Sequence, residues 1–463
     1  MKSLSSVNPS PEQLLIIKRV RAGVEIIRGA AGSGKTTTAL LKLKLLILWV
    51  QSRRRREESN EPVRALVLTF NKTLRGYVHD LVKNSIPTGN IEITVDTFSH
   101  WAYGTLGKPK VCEDADLERV CASASTQIGL PPDFLANEAR YVMGRFLPAE
   151  INEYLNCRRD GRGAIPRVEK PTRQLILDLI IKPFQEWKSR KNIMDWNDVA
   201  VSMMVKKYHS YDIIIVDEAQ DFSANQLRSI MIQANDESAK CFILDTAQRI
   251  YAGGFTWSEI GLTIRPEDSY RLKVNYRNTP EIARLAASLI NCVTLDNDGT
   301  SQELLDLTGN PKPILLEGLF NQQVSWCIEY IKKNVDLSTE SVAFLNPKGW
   351  FSYLESRLKD AGLKYVELTR QSDWPTSNTN IALSTLHSAK GLDFDHCIII
   401  GLSKENLPDG EFTTGDDRFE TACRLLSMAI ARARIQVVLG YKSGEEPAIL
   451  NSLDASACEK VQL

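Results

Sequence analysis

Short apolar runs, many rich in β-branched residues, recur along the chain and end in polar or glycine-containing segments. In the first half they are "VEIIR" (24–28), "RALVLTF" (64–70), "IEITVDTF" (91–98), "YDIIIVDE" (211–218), "KCFILDTAQ" (240–248) and "LKVNYR" (272–277). A second series comprises "KPILLEG" (312–318), "VAFLN" (342–346), "LKYVEL" (363–368), "IALSTLH" (381–387), "HCIIIGL" (396–402) and "RIQVVLGY" (434–441). Apolar runs of this length without strict alternation predict strands buried on both faces, as in parallel sheets. Helical patterns between them predict βαβ units, so the expected fold is α/β with two parallel sheets.

Between Phe98 and Tyr211 the strand signal fades, and "DLERVCASASTQIGL" and "TRQLILDLIIKPFQEWKSR" carry apolar residues at helical spacing. Residues 106–205 are therefore expected to form a helical insertion. The first lobe is expected to comprise residues 1–105 and 206–275, and the second 276–463. "LLKLKLLILWV" (40–50) is interrupted by Lys42 and Lys44 and is too short to span a bilayer, which predicts a helix buried on most of its surface. Two basic segments read as surface: "SRRRREES" (52–59) as a solvated turn, and "CRRDGRGAIPRVEKPTR" (157–173), with six cations against two acids, as an exposed loop.

At 463 residues, 43% of them apolar, the chain exceeds what one core usually supports. Lys plus Arg and Asp plus Glu both number 57, so any nucleic-acid binding has to come from a local groove and not from overall charge. The nine cysteines form no C-x-x-C pair, which argues against a zinc ribbon or a disulfide framework and for a reducing, cytoplasmic setting. "MKSLSSVNPS" lacks the apolar core of a signal peptide, and no membrane partner is expected.

Two segments carry chemistry. "GAAGSGKT" (29–36) fits G-x-x-x-x-G-K-[ST] after an expected strand and before a helical run, the context that makes a phosphate loop. Backbone N–H groups of Gly29, Ala30, Ala31, Gly32, Ser33 and Gly34, with those of Lys35, Thr36 and Thr37, would surround phosphate oxygens at a helix N-terminus. Lys35 would reach the β and γ phosphates, and Thr36 would ligate Mg²⁺. "IIIVDEAQD" (213–221) ends a buried strand in Asp217, Glu218 and Asp221 with no neighbouring cation. Such crowded carboxylates need a positive partner. Mg²⁺ between Thr36, a bound nucleotide and Asp217 would supply it, leaving Glu218 to deprotonate water for attack on the γ phosphate.

With these two motifs in place the chain resembles the superfamily 1 helicases of the UvrD/Rep type, a resemblance that runs from Gln13 to Arg434. It implies two RecA-like domains of the P-loop NTPase class, with ATP hydrolysed between them. "NPSPEQ" (8–13) is similar to the glutamine motif, whose Gln13 would read adenine. "LTFNKTL" (68–74) and "VDTFSHW" (95–101) are similar to strand-holding segments, which implies DNA contacts by Thr69, Phe70, Thr97 and Phe98; core packing is the competing reading for both phenylalanines. In "LDTAQRIY" (244–251) the resemblance puts Gln248 at the γ phosphate and Tyr251 toward the strand. In "NYRNTPEI" (275–282) it has Tyr276 stack on adenine and Arg277 reach the γ phosphate. "LSTLHSAKGLDFD" (383–395) implies that His387 touches the strand and that Gly391 and Asp393 border the nucleotide, and "SMAIARAR" (427–434) makes Arg432 a second arginine finger.

The pattern departs from the family at Gly253 and Gly254, where relatives carry an aromatic and an arginine. The base-stacking shelf is then rebuilt by Phe255 or Trp257, or is absent; Trp257 is the candidate. Only about 105 residues separate Arg277 from Leu383, where larger relatives insert a domain, so the chain reads as a compact form. His100 is assigned no contact. The implied activity is ATP- and Mg²⁺-dependent movement on single-stranded or tailed duplex DNA, 3′→5′ by resemblance. Compact motors of this kind resemble helicase subunits that act beside a separate nuclease, repair or defence protein. The competing readings are an RNA motor and a nucleotide-gated sensor subunit.

Overall fold

The computed structural model describes residues 9–30, 32–69, 75, 90–160, 162–245, 254–293, 303–304, 310–369, 379–408, 410 and 415–463. Its first sheet contains β1 (Gly23–Gly29), β2 (Val63–Thr69), β3 (Ile91–Thr97), β4 (Tyr211–Val216), β5 (Ala234–Leu244) and β6 (Ser269–Leu272), all parallel, in the order β3-β2-β4-β5-β1-β6. A short pair, β7 (Val274–Asn275) and β8 (Glu303–Leu304), follows. The second sheet holds β9 (Ile314–Glu317), β10 (Val342–Asn346), β11 (Val366–Leu368), β12 (Ile381–Thr385), β13 (Phe394–Leu402), β14 (Ala433–Tyr441) and β15 (Glu459–Gln462). It too is parallel throughout, ordered β11-β12-β10-β13-β14-β9-β15. The architecture is two parallel-sheet α/β domains consistent with RecA-like lobes.

Every residue of β4 is buried, as the apolar run Ile213–Val216 requires in a sheet covered on both faces. One covering layer is the helix Lys35–Arg56, whose Leu43, Leu46, Ile47 and Val50 pack on Val67, Ile213 and Ile243. Lys42 interrupts its apolar stripe without reaching water: the ammonium lies 2.6 Å from Glu25 and donates to the Ile16 carbonyl at 2.9 Å. The expected turn at 52–59 is corrected here. The helix runs through Arg53–Arg56, where cations suit a helix C-terminus, and buried Arg54 donates to both oxygens of Asp212 at 2.9 and 2.8 Å.

The expected strand at 272–277 is instead divided between β6 and β7. The insertion helices Asp114–Ile128, Pro132–Arg145, Lys170–Ile176 and Lys182–Lys191 enclose a core of their own around Leu135, Tyr154 and Ile180. Its ends meet where Cys112 N donates to Met194 O at 2.8 Å. The helix Trp196–Ser202 belongs to the first lobe's core through Val199 and Ala200.

Residues 157–160 and 162–173 are only in part the exposed loop that their charge suggested: Arg158, Arg167 and Lys170 are exposed, but two of the arginines are not. Arg159 and Arg162 are largely buried against the fully buried Glu138, at 2.8 and 3.1 Å. The segment then crosses to the second lobe. Arg162 pairs with Asp417 at 3.1 Å, Gly163 N donates to the same carboxylate at 2.8 Å, and Ile165 N donates to Gly415 O at 2.8 Å. No described helix is long and apolar enough to cross a membrane, and all nine cysteines are unpaired.

Candidate active site

Strand order places the ends of β4, β5 and β1 side by side, and the crevice beyond the carboxyl ends of parallel strands is where such sheets hold ligands. After β1 the chain turns through Gly32 and Gly34, with φ of 73° and 75°, into the helix Lys35–Arg56. Space is also restricted: a Cβ on Gly29 would sit 2.5 Å from Ser33 Oγ, and one on Gly32 would sit 2.1 Å from Asn275 Oδ1. Ser33 Oγ is buried with no hydrogen-bond partner among the described residues. The helix's first turn leaves N–H groups without intrahelical acceptors. Ala30 N donates to Leu272 O at 3.1 Å, and Thr37 is half-buried; Ala31 lies outside the described residues.

The Lys35 ammonium donates to Gly29 O at 2.8 Å and Ala30 O at 2.9 Å and lies 3.1 Å from Asp245 Oδ2. Thr36 Oγ1 donates to Asp217 Oδ2 at 2.7 Å. Burial, then the neighbouring Glu218, push the Asp217 carboxyl up to about 6, with the Thr36 hydrogen bond opposing them. Glu218 occupies the left-handed region at φ 54°, and its N–H donates to Asp217 Oδ1 at 2.9 Å. Its own side chain accepts from Gln220 Nε2 at 2.6 Å, while Gln220 Oε1 accepts from Asp245 N at 3.0 Å. One amide thus braces the ends of β4 and β5. Gln13 braces the loop, donating to Ser33 O at 3.1 Å.

The second lobe reaches this crevice. Lys390, in the turn after β12, lies 2.5 Å from Asp221 and 3.8 Å from Glu218. Burial would raise the Glu218 carboxyl, but Lys390, Lys35 and Arg432 outweigh it and hold the group below its ordinary value. Arg277 is anchored beside the phosphate loop, since Tyr276 N donates to Gly32 O at 3.1 Å, and its guanidinium lies 2.9 Å from Asp393. Asn278 Nδ2 donates to Ala431 O at 3.1 Å, joining this segment to the turn that carries Arg432. Arg432 is buried, and its Nε donates to Met428 O at 3.2 Å. Burial and then the nearby Arg277 lower its proton affinity, whereas Asp393, Glu218 and Asp245 oppose that effect. Tyr276 is exposed, and Gly391 turns at φ 82°.

Lys35, Thr36, Asp217, Glu218, Arg277, Arg432 and Asp393 therefore converge on one seam. The positive partner expected for the acidic cluster comes in part from the protein itself, through Lys390. Sequence reading missed Lys390, Asp245 and Gln220, although each lies inside a segment it singled out; their partners are distant in the chain, so no local spacing marked them. Gln248 lies outside the described residues.

The expected strand contacts separate differently. Thr69 and Thr97 pair in register at the ends of β2 and β3, but Thr69 is fully buried and Thr97 Oγ1 caps the helix Phe98–Thr105, accepting from His100 N at 3.3 Å. Phe98 is buried edge-on against Trp101 and Phe222, at 5.9 and 6.4 Å, so its ring is core and not a base shelf. Trp257 is half-buried, 5.5 Å from both Phe242 and Phe255. His387 is half-buried in the turn before Lys390. Phe70, Tyr251 and Gly253 lie outside the described residues.

Residues 346–444 match the UvrD-like helicase C-terminal domain. Among relatives, a probable DNA helicase II homolog of Mycoplasma capricolum is 24% identical over 60% of this chain and 40% of its own. A probable DNA helicase of Mycoplasma pneumoniae is 20% identical over 89% of this chain and 79% of its own. One component of an ATP-dependent helicase/nuclease from Lactococcus lactis is 25% identical over 36% of this chain and 16% of its own. The chain thus spans 40% and 16% of the length of two of these relatives. The chain is thus similar to the UvrD-like helicases: residues 346–444 match their C-terminal domain, and two of the relatives carry the name of probable DNA helicases.

Proposed function

We propose that the chain is an ATP-dependent motor on single-stranded DNA, a translocase and helicase moving 3′→5′, that hydrolyses ATP at the seam between its two lobes. The observation that carries this reading is the meeting of Lys390, Arg277 and Arg432 with Glu218 and the phosphate loop. Cations supplied from a facing lobe make hydrolysis depend on closure, which is what a motor needs.

The residues fit Mg²⁺-ATP. The glycine cradle has no space for side chains, Ser33 Oγ lacks a partner among the described residues, and Thr36 and Asp217 present a hydroxyl and a carboxylate together. Magnesium is commonly held by one or two carboxylates plus substrate phosphates. Bound nucleotide supplies the γ-phosphoryl group, and the ion offsets charge on it; Thr36 and Asp217 would hold that ion. Lys35 exchanges its carbonyl contacts for phosphate oxygens. Glu218, kept ionised by its cations, takes a proton from the attacking water, and Gln220 orients it. Arg277 and Arg432 donate to charge that develops on transfer.

Gln13 would meet adenine on one side and Tyr276 on the other. Phe70, Tyr251, Trp257 and His387 are the proposed strand contacts, in a cytoplasmic enzyme acting with a separate nuclease or repair protein. The test is ATPase and strand displacement by the purified chain on 3′-tailed and 5′-tailed duplexes. Strong stimulation by DNA and unwinding of the 3′-tailed substrate support the motor; a slow rate indifferent to DNA refutes it and favours the nucleotide-gated sensor.

A further inference from the structure

Residues 158–160, 162–164, 167–169 and 173 line a cavity of about 490 Å³ where the helical insertion faces the second lobe. Six arginines line it, Arg158, Arg159, Arg162, Arg167, Arg173 and Arg424, with the carboxylates of Asp160, Glu169 and Glu420. Guanidinium groups crowded round one space repel unless each is compensated. Four of them are: Arg158 by Asp160 at 3.3 Å, Arg159 and Arg162 by Glu138 at 2.8 and 3.1 Å, and Arg424 by Glu420 at 3.4 Å.

Arg173 and Arg167 differ. Arg173 donates to the carbonyls of Tyr154, Cys157 and Val168 at 2.8, 2.7 and 2.9 Å, so it is held in place with its charge unmatched by any carboxylate within ion-pair distance among the described residues. Arg167 is exposed at the cavity's edge, with no ion pair among the described residues. A further observation points to a missing acceptor: one terminal nitrogen of Arg162, whose side chain is 5% exposed, has no hydrogen-bond partner among the described residues.

We propose that this cavity binds a phosphate group. Arginine's planar fork matches phosphate geometry, and charge-assisted hydrogen bonds of this kind are the strong ones. The volume lies within the range of small-ligand sites, roughly 300–1,000 Å³, which admits a nucleotide unit as well as its phosphate. The phosphate comes either from a strand, in which case the proposal extends the motor reading, or from a free polyphosphate, in which case it stands apart from that reading. Because the walls belong to the insertion and to the helix Asp417–Ile430, the bound anion bridges two bodies tied otherwise by Arg162, Gly163 and Ile165.

The test uses the full chain and Arg167→Glu, with Arg167→Gln as a milder companion and thermal melting to establish folding. The strand probe is a labelled oligodeoxythymidylate titrated at increasing salt. Loss of a phosphate contact should weaken binding at least about threefold and shallow the log–log salt slope by about one. The free probe is inorganic pyrophosphate, measured in a Lys35→Ala background that silences the phosphate loop; a binding event abolished by Arg167→Glu assigns the cavity to free polyphosphate. Either change supports the proposal. Unchanged affinity for both probes in a variant that melts like its parent overturns it, and DNA-stimulated ATPase retained in that variant shows that the motor reading has survived.

Discussion

The Lys390 ammonium, carried by the second lobe, lies 2.5 Å from the Asp221 carboxylate at the end of β4 in the first, with both side chains almost wholly buried. It also lies 3.8 Å from Glu218, so one cation of the second lobe partly compensates two of the three carboxylates after β4. Removing one member of a buried pair costs about 3–5 kcal/mol. Lys390→Met should therefore lower the unfolding midpoint and depress DNA-stimulated turnover at least tenfold, while ATP affinity changes little. Combining it with Asp221→Asn should recover stability and not turnover. Urea unfolding and steady-state ATPase read the two effects separately.

Lys35→Ala should abolish nucleotide binding or turnover, because no other ammonium among the described residues faces Gly29 O, Ala30 O and Asp245. Glu218→Gln should keep ATP bound and slow hydrolysis by about 10²–10⁴, the usual contribution of a positioned base. Equilibrium nucleotide binding beside single-turnover hydrolysis distinguishes the two variants.

Arg277 lies beside Gly32 of the phosphate loop and pairs with Asp393 at 2.9 Å, and the charge of buried Arg432 acts on Glu218. Arg277→Ala or Arg432→Ala should reduce turnover by about 10³ or more, as loss of an arginine finger does, with a much smaller change in ATP affinity. Wild-type turnover in either variant would remove that residue from the finger role.

Glu138 supports the strap between the insertion and the second lobe. Burial would raise its carboxyl, but Arg159 and Arg162 prevail and hold it below the ordinary carboxylate range. A depressed folded-state pKa contributes stability above the unfolded value of about 4.3, which is lost as pH falls through the folded value. The melting temperature should thus drop with acidification below about pH 4.3. Glu138→Gln should be destabilised near neutrality and show a flatter acid limb.

Trp257 packs on Phe242 and Phe255 in the first lobe's core. Trp257→Ala should cost about 2–3 kcal/mol, below the range for a fully buried ring. If the exposed part of its ring also serves as a base shelf, strand affinity falls while ATP affinity holds; an unchanged strand affinity leaves it a core residue alone.

Much of this molecule is legible in one dimension. β10 begins and ends where its apolar run does, and β4 ends one residue before Asp217, because strand burial and helix initiation are local properties of the chain. The phosphate loop is equally local: Gly29, Gly32, Gly34, Lys35 and Thr36 act through backbone turns and one helix N-terminus. β15 carried no such signal, since "EKVQ" is mostly exposed and becomes a strand only by pairing with β9.

Charge was least legible. Arg54, Arg159 and Arg162 look as solvated as the arginines beside them until Asp212, Glu138 and Asp417, more distant in sequence, come to meet them. Phe98 looks equally like a shelf or a core ring until Phe222 closes over it. The sequence by itself therefore determined the two parallel sheets, the loop that can hold phosphate and the acidic strand end beside it. Only the tertiary structure decided which cation faces Glu218, which arginines are buried and which cavity they surround, because Coulomb and desolvation energies depend on distance in space, to which distance along the chain is no guide.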